Sequence, residues 1–148
     1  MSETKKKAEV CFIDTNVWLY AFIESQDKEK TGVAKNTVQN REVIVSTQVI
    51  SEVCVNLIKK TQFDEASIQN LIESFYSKYR VIEIDKEILL KASDLRNSYQ
   101  FSYWDSTIVA CALLGSATIL YSEDLDTGVE VEKRLKIVNP FRPVKRSK

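Results

Sequence analysis

Short apolar runs broken by turn formers alternate along this chain with stretches whose apolar residues recur every three or four positions. Val10 to Ile13 is a β-rich run halted by Asp14-Thr15-Asn16, the pattern of a strand buried on both faces. Beyond it, Val17, Leu19, Tyr20 and Phe22 predict a short helix, and Lys28 to Gln39 a more polar one with Ala34 and Val38 turned inward. The link from Glu24 to Asp27 is expected to be exposed. Glu42 to Val45 predicts a second strand. Ser46 or Thr47 then caps a helix whose Val49, Ile50, Val53, Cys54, Leu57 and Ile58 keep helical spacing. Asp64 starts another helix with Ile68, Leu71, Ile72 and Phe75, Arg80 to Ile84 alternates into a third strand, and Lys86 to Ser98 returns to helix. Ser102 to Leu114 is apolar nearly all round, the mark of a helix inside the core, and Gly115 ends it where a left-handed residue costs little. Ala117 to Tyr121 reads as a buried strand, and Lys136 to Val138 as a last extended piece before Pro140 and Pro143 end regular structure.

Strands separated by helices predict an α/β fold with a central parallel sheet, helices on both faces and right-handed crossovers. At 148 residues the chain holds one domain. It is expected over residues 10–139, with a flexible segment over 1–9 and a basic tail over 140–148. Sites in such sheets lie beyond the carboxyl ends of the strands, and Asp14 and Asp124 both sit just past such ends.

Composition narrows the chemistry. Formal net charge is zero, so no global field recruits nucleic acid and any polyanion site is local. The basic clusters Lys5 to Lys7 and Arg142 to Lys148 are short enough to be solvated tails, with phosphate contact the sharper alternative. Cys11, Cys54 and Cys111 are far apart and set among apolar residues, as buried free thiols are in a reducing compartment. The chain has no histidine and no paired cysteines, which excludes a structural zinc site, so any metal must be held by oxygen, favouring Mg²⁺ or Mn²⁺. The same lack excludes ribonucleases built on paired imidazoles and Ser-His-Asp hydrolases. Asp14 and Asn16 interrupt the first apolar run too early for a signal peptide, and no span is long enough for a membrane, so a cytoplasmic protein is expected.

Four acids invite attention, each with an ordinary reading beside the chemical one. Asp14 follows a buried strand, where an unpaired carboxylate is costly to desolvate, yet an Asp there also serves as a turn former. Glu52 lies well round from the middle of its helix's apolar stripe, as a solvated glutamate would, and Asn56 one turn on is placed to hold it. Asp105 stands at the mouth of a buried helix, three residues after Ser102, which also fits a capping box. Asp124 belongs to Ser122-Glu123-Asp124-Leu125-Asp126, which also reads as a plain acidic loop. Gathered at one sheet edge, such acids repel: two carboxylates about 4 Å apart oppose each other by roughly 4 kcal/mol at an effective dielectric of 20. A cluster of that kind needs a proton or a cation, and Mg²⁺ or Mn²⁺ there would suit phosphoester chemistry.

The ordered set Asp14-Thr15-Asn16, Ser51-Glu52, Trp104-Asp105-Ser106 and Ser122-Glu123-Asp124 resembles the PIN-domain nucleases, especially the small VapC-type toxins of bacteria and archaea. The resemblance spans about Val10 to Val138. It implies a PIN-like three-layer fold, and it puts Asp14, Glu52, Asp105 and Asp124 in the places of the family's four acidic metal-site residues. It makes Asn16 and Ser122 the supports that orient Asp14 and Asp124 through hydrogen bonds, with Asp126 an outer or substitute ligand. The implied reaction is metal-dependent hydrolysis of RNA phosphodiesters. A homodimer and a small cognate antitoxin that blocks the acidic groove are implied in the same way. A phosphatase of the haloacid-dehalogenase type would need an acid where Asn16 stands, and a phospho-accepting receiver domain would need paired acids near its first strand. The serious alternative is a PIN-like module that binds RNA or protein with little or no catalysis.

Overall fold

A computed structural model describes residues 9–23, 27–39 and 41–142. The basic clusters, apart from Arg142, and most of the Glu24–Asp27 link lie outside the described residues. The elements run β1 (Val10–Ile13), α1 (Thr15–Phe22), α2 (Lys28–Gln39), β2 (Glu42–Ser46), α3 (Thr47–Lys60), α4 (Glu65–Lys78), β3 (Arg80–Ile82), α5 (Lys86–Ser98), α6 (Tyr103–Leu114), β4 (Ile119–Tyr121), β5 (Glu130–Val131) and β6 (Leu135–Val138). Strand order across the sheet is β3-β2-β1-β4-β6-β5. All neighbours are parallel except β5, which runs antiparallel to β6. The α/β expectation therefore holds, with one addition: the two-residue strand β5 was not legible, because so short a strand carries no alternation. No helix among the described residues is long and apolar enough to cross a membrane.

Local chemistry explains the helix starts. Ser46, Asp64, Asp85 and Ser102 each cap a helix by accepting a backbone N–H three residues on, which satisfies a donor that the first turn leaves free. Inside, Phe12, Ile13, Ile44 and Leu120 on the sheet pack with Val17, Trp18, Leu57, Phe75 and Leu113, all essentially shielded from solvent. Ser106 through Leu113 of α6 are buried on every side, as its sequence predicts. Two expectations need correction. On α2 the buried residues are Ala34 and Thr37, while Val38 is only half-buried; Thr37 can go inside because its hydroxyl donates to the Val33 carbonyl at 2.8 Å. At the end of α6, Gly115 has φ −82° and the left-handed residue is Ser116, at φ 65°. Glycine suits 115 for space: a Cβ there would push on Ile44 Cδ1 and lie 3.0 Å from the Cys111 carbonyl oxygen.

The register of the sheet matters most for the site. Strand β1 lies between β2 and β4, with Ile13 beside Tyr121. The carboxyl ends of β1 and β4 are thus adjacent, and the Asp14 N–H donates to the Tyr121 carbonyl at 2.9 Å. Trp18 fixes the turn that follows: its indole N–H donates to the Ile13 carbonyl at 2.9 Å, and its ring packs edge-on against Phe75 and Tyr79.

Candidate active site

Asp14 ends β1 and caps α1. One carboxylate oxygen accepts the Thr15 N–H at 2.7 Å, and the other accepts the Ser122 hydroxyl at 2.8 Å. Only 7% of the residue is exposed. Burial is the main reason that its carboxyl is pushed up to about 6. The two hydrogen bonds act against that shift, and the negative fields of Glu52 and Asp124 add to it.

Asp124 arrives from the loop after β4. The Asn16 side-chain amide donates to its carboxylate at 2.6 Å, and its own N–H donates to Ser122 Oγ at 3.2 Å. Partial burial, then Glu123 and Asp105, raise its carboxyl above the ordinary range. The supports predicted from sequence therefore act crosswise: Asn16, next to Asp14 in sequence, holds Asp124, while Ser122, near Asp124, holds Asp14. Parallel pairing of β1 with β4 makes this exchange natural, because it sets the two strand ends side by side.

Glu52 comes from the second turn of α3, and Thr15 reaches across from α1 to donate to its carboxylate at 3.2 Å. Asn56 does not hold that carboxylate; its amide donates to the Glu52 backbone carbonyl at 2.8 Å, a bond that favours the helix over the side chain. Asp105 sits in the first turn of α6, its N–H donating to Ser102 Oγ at 3.2 Å, so Ser102 caps the helix as expected. Arg96 secures that turn: it donates to Ser106 Oγ at 2.7 Å and lies over the Tyr103 ring. Asp105, Asp124 and Asp126 line one cleft of about 340 Å³ with Tyr99, Gln100 and Phe101.

The loop after β4 also shows which of its acids face the cleft. Glu123 is taken up by Lys30 and Tyr20, while Asp105, Asp124 and Asp126 line the cleft. Lys30 is a residue that sequence reading missed, since nothing in a polar helix marks one lysine as the partner of an acid 93 positions away. Thr15 was missed as well, although it stands inside the Asp-Thr-Asn run.

The fold thus brings Asp14 into the fields of Glu52 and Asp124, and Asp124 into that of Asp105. It stops short of one closed ring. Among the described residues, no three acidic or thiol side chains stand close enough together to enclose a metal ion. All three cysteines are buried elsewhere, with burial the main cause raising each thiol.

A family model described as the PIN domain matches residues 11–130. No curated protein matches the sequence significantly. Among solved structures, a toxin–antitoxin complex from Klebsiella pneumoniae is similar at a TM-score of 0.67 and 20% identity, over 88% of this chain and 97% of that one. VapC20 of Mycobacterium tuberculosis, described as a sarcin-ricin loop cleaving toxin, is similar at 0.62 and 19%, over 78% and 91%. VapBC2 from Rickettsia felis, bound to a promoter DNA fragment, is similar at 0.61 and 16%, over 88% and 99%.

Proposed function

The chain belongs to the PIN-domain family, and from that premise we propose that it is a divalent-metal-dependent endoribonuclease, the toxin of a toxin–antitoxin pair. The observation that carries this reading is the position of Asp14. It is a nearly buried carboxylate, raised to about 6, facing Glu52 and Asp124 at the carboxyl end of a parallel sheet. A fold keeps so costly a group where a cation or a proton is meant to meet it.

The donor set fits Mg²⁺ or Mn²⁺ in kind, since every acidic group offers hard oxygen. Asp14, Glu52, Asp105 and Asp124 would hold the ion, with Asp105 half-buried and Asp124 exposed at the cleft. Bound there, the ion supplies polarisation of an attacking water and compensation of charge at phosphorus. The chain's own residues do the positioning. Ser122 and the Thr15 N–H keep both Asp14 oxygens directed, Asn16 tethers Asp124, and Thr15 Oγ tethers Glu52. Lys30 holds Glu123 out of the acidic cleft, and Asp126 serves as an outer ligand at its rim.

The RNA substrate, a cognate antitoxin and a homodimer belong to the same proposal. The first two are supported by similarity to a toxin named for cleaving the sarcin-ricin loop and to a structure named as a toxin–antitoxin complex. Incubating the purified protein with total cellular RNA and Mg²⁺ or Mn²⁺, beside EDTA and Asp14→Asn controls, tests the activity, with cut ends mapped by sequencing. Discrete cuts lost in both controls are expected. No cutting by a folded, inhibitor-free sample would leave the binding-module reading in its place.

A further inference from the structure

Next to the acidic cleft lies an opening that the reading above leaves unused. A groove of about 440 Å³ is lined by Thr47, Gln48, Ser51 and Glu52 of α3, by Ile84, and by Trp104 of α6. Trp104 is 61% exposed, more than any other large apolar side chain among the described residues. Its neighbour Asp105 lines the acidic cleft, so the first turn of α6 separates the two openings. Gln48 adds a second peculiarity: both polar atoms of its side-chain amide are shielded from solvent and have no hydrogen-bond partner among the described residues. An amide in that state is costly, and folded proteins rarely leave one without a reason.

We infer that this groove is a nucleobase subsite, in which a base of single-stranded RNA stacks on the Trp104 indole and presents its edge to the Gln48 amide. The inference rests on the ribonuclease reading and names how the RNA is gripped beside the cut. The groove carries no cation to hold a phosphate, and Glu52 would repel one. A neutral, flat group with donors and acceptors along its rim suits these walls. An indole face accepts any base by stacking, and a carboxamide, with its acceptor oxygen and two N–H donors, matches base edges that present both. Rotation about the flexible Gln48 side chain brings the amide to the base.

The chain has just two tryptophans, and Trp18 is fully buried, so emission quenched by contact with RNA, and lost as a signal in Trp104→Phe, reports on Trp104. In the Asp14→Asn background, where the RNA stays whole, short oligoribonucleotides of A, U or C are expected to quench emission with base-dependent affinity. Binding measured by anisotropy of end-labelled RNA is expected to stay within a few-fold for Trp104→Phe and to weaken roughly ten- to hundredfold for Trp104→Ala. Gln48→Met, similar in length without the amide, is expected to flatten the base preference while raising thermal stability; a purely structural Gln48 would move only stability. Unchanged RNA affinity in Trp104→Ala, or an unchanged base profile in Gln48→Met, overturns the subsite. Loss of antitoxin binding alone in Trp104→Ala also overturns it and makes the groove a protein-docking surface. If RNA quenches Trp104 but the wild-type protein with metal cuts nothing, the subsite stands and the nuclease reading falls. If Trp104→Ala cuts at the wild-type rate and sites, the reverse holds.

Discussion

Replacing Asp14 by Asn should make the metal-free protein more stable, while removing its activity. The folded chain holds this carboxyl at about 6, against an ordinary 3.8. Between those values the unfolded chain has released the proton and the folded chain still keeps it, so the unfolded state binds fewer protons and stability falls as pH rises. A displacement of about two pK units corresponds to about 3 kcal/mol of destabilisation once pH exceeds the folded value. Asparagine removes the charge at nearly constant shape, and its carbonyl can still accept the Thr15 N–H. Its Nδ2, a donor only, cannot accept the Ser122 hydroxyl, nor donate well to an Oγ that already receives the N–H groups of Asp124 and Leu125, so about 1 kcal/mol is given back. The net gain is about 2 kcal/mol, or roughly 4–8 °C in Tm for a domain of this size. Urea titrations in EDTA at several pH values from about 3 to about 8 measure it, and the gain should shrink as pH falls and be lost below 3.8, where Asp14 is protonated in both states. A variant that is less stable than the parent throughout, or a difference that does not change with pH, would mean that the folded chain does not hold the Asp14 proton so tightly.

Other outcomes follow from the same geometry. Saturating Mn²⁺ should raise the Tm of the parent protein, because a ligand of the folded state alone stabilises it; the rise should largely disappear in Asp14→Asn, as read by thermal denaturation. Asn16→Ala frees Asp124 from its 2.6 Å tether and should lower RNA cleavage about ten- to hundredfold, less than the full loss expected of Asp14→Asn or Asp105→Asn. Asp126→Asn, at an exposed position of the cleft rim, should change the cleavage rate far less than either. Gly115→Ala forces a methyl group against Ile44 and the Cys111 carbonyl and should cost about 1–3 kcal/mol in urea unfolding, with cleavage of RNA by the folded fraction unchanged.

Much of this protein is legible in its sequence for a physical reason: local chemistry acts over a few residues. The apolar run at Val10–Ile13, the helical spacing from Val49 to Leu57 and the all-round apolar α6 each declare their element without help from the rest. Asp14, Asp105 and Asp124 stand out because an acid beside a buried strand or helix is expensive wherever the chain goes next. Ser102 and Asp64 announce helix starts in the same way. What escaped depended on distance. Only the placement of β4 against β1 sends Ser122 to Asp14 and Asn16 to Asp124, since side chains meet across adjacent strand ends and not along one of them. Only the packing of α1 on α3 lets Thr15, and not Asn56, hold the Glu52 carboxylate. Lys30 meets Glu123 across 93 positions, and the tight space around Gly115 comes from an isoleucine 71 positions earlier on β2. The elements and the acids can be read along the chain because periodicity and desolvation are local; which groups restrain those acids depends on the fold, because hydrogen bonds and exclusion act only between atoms that it has brought together.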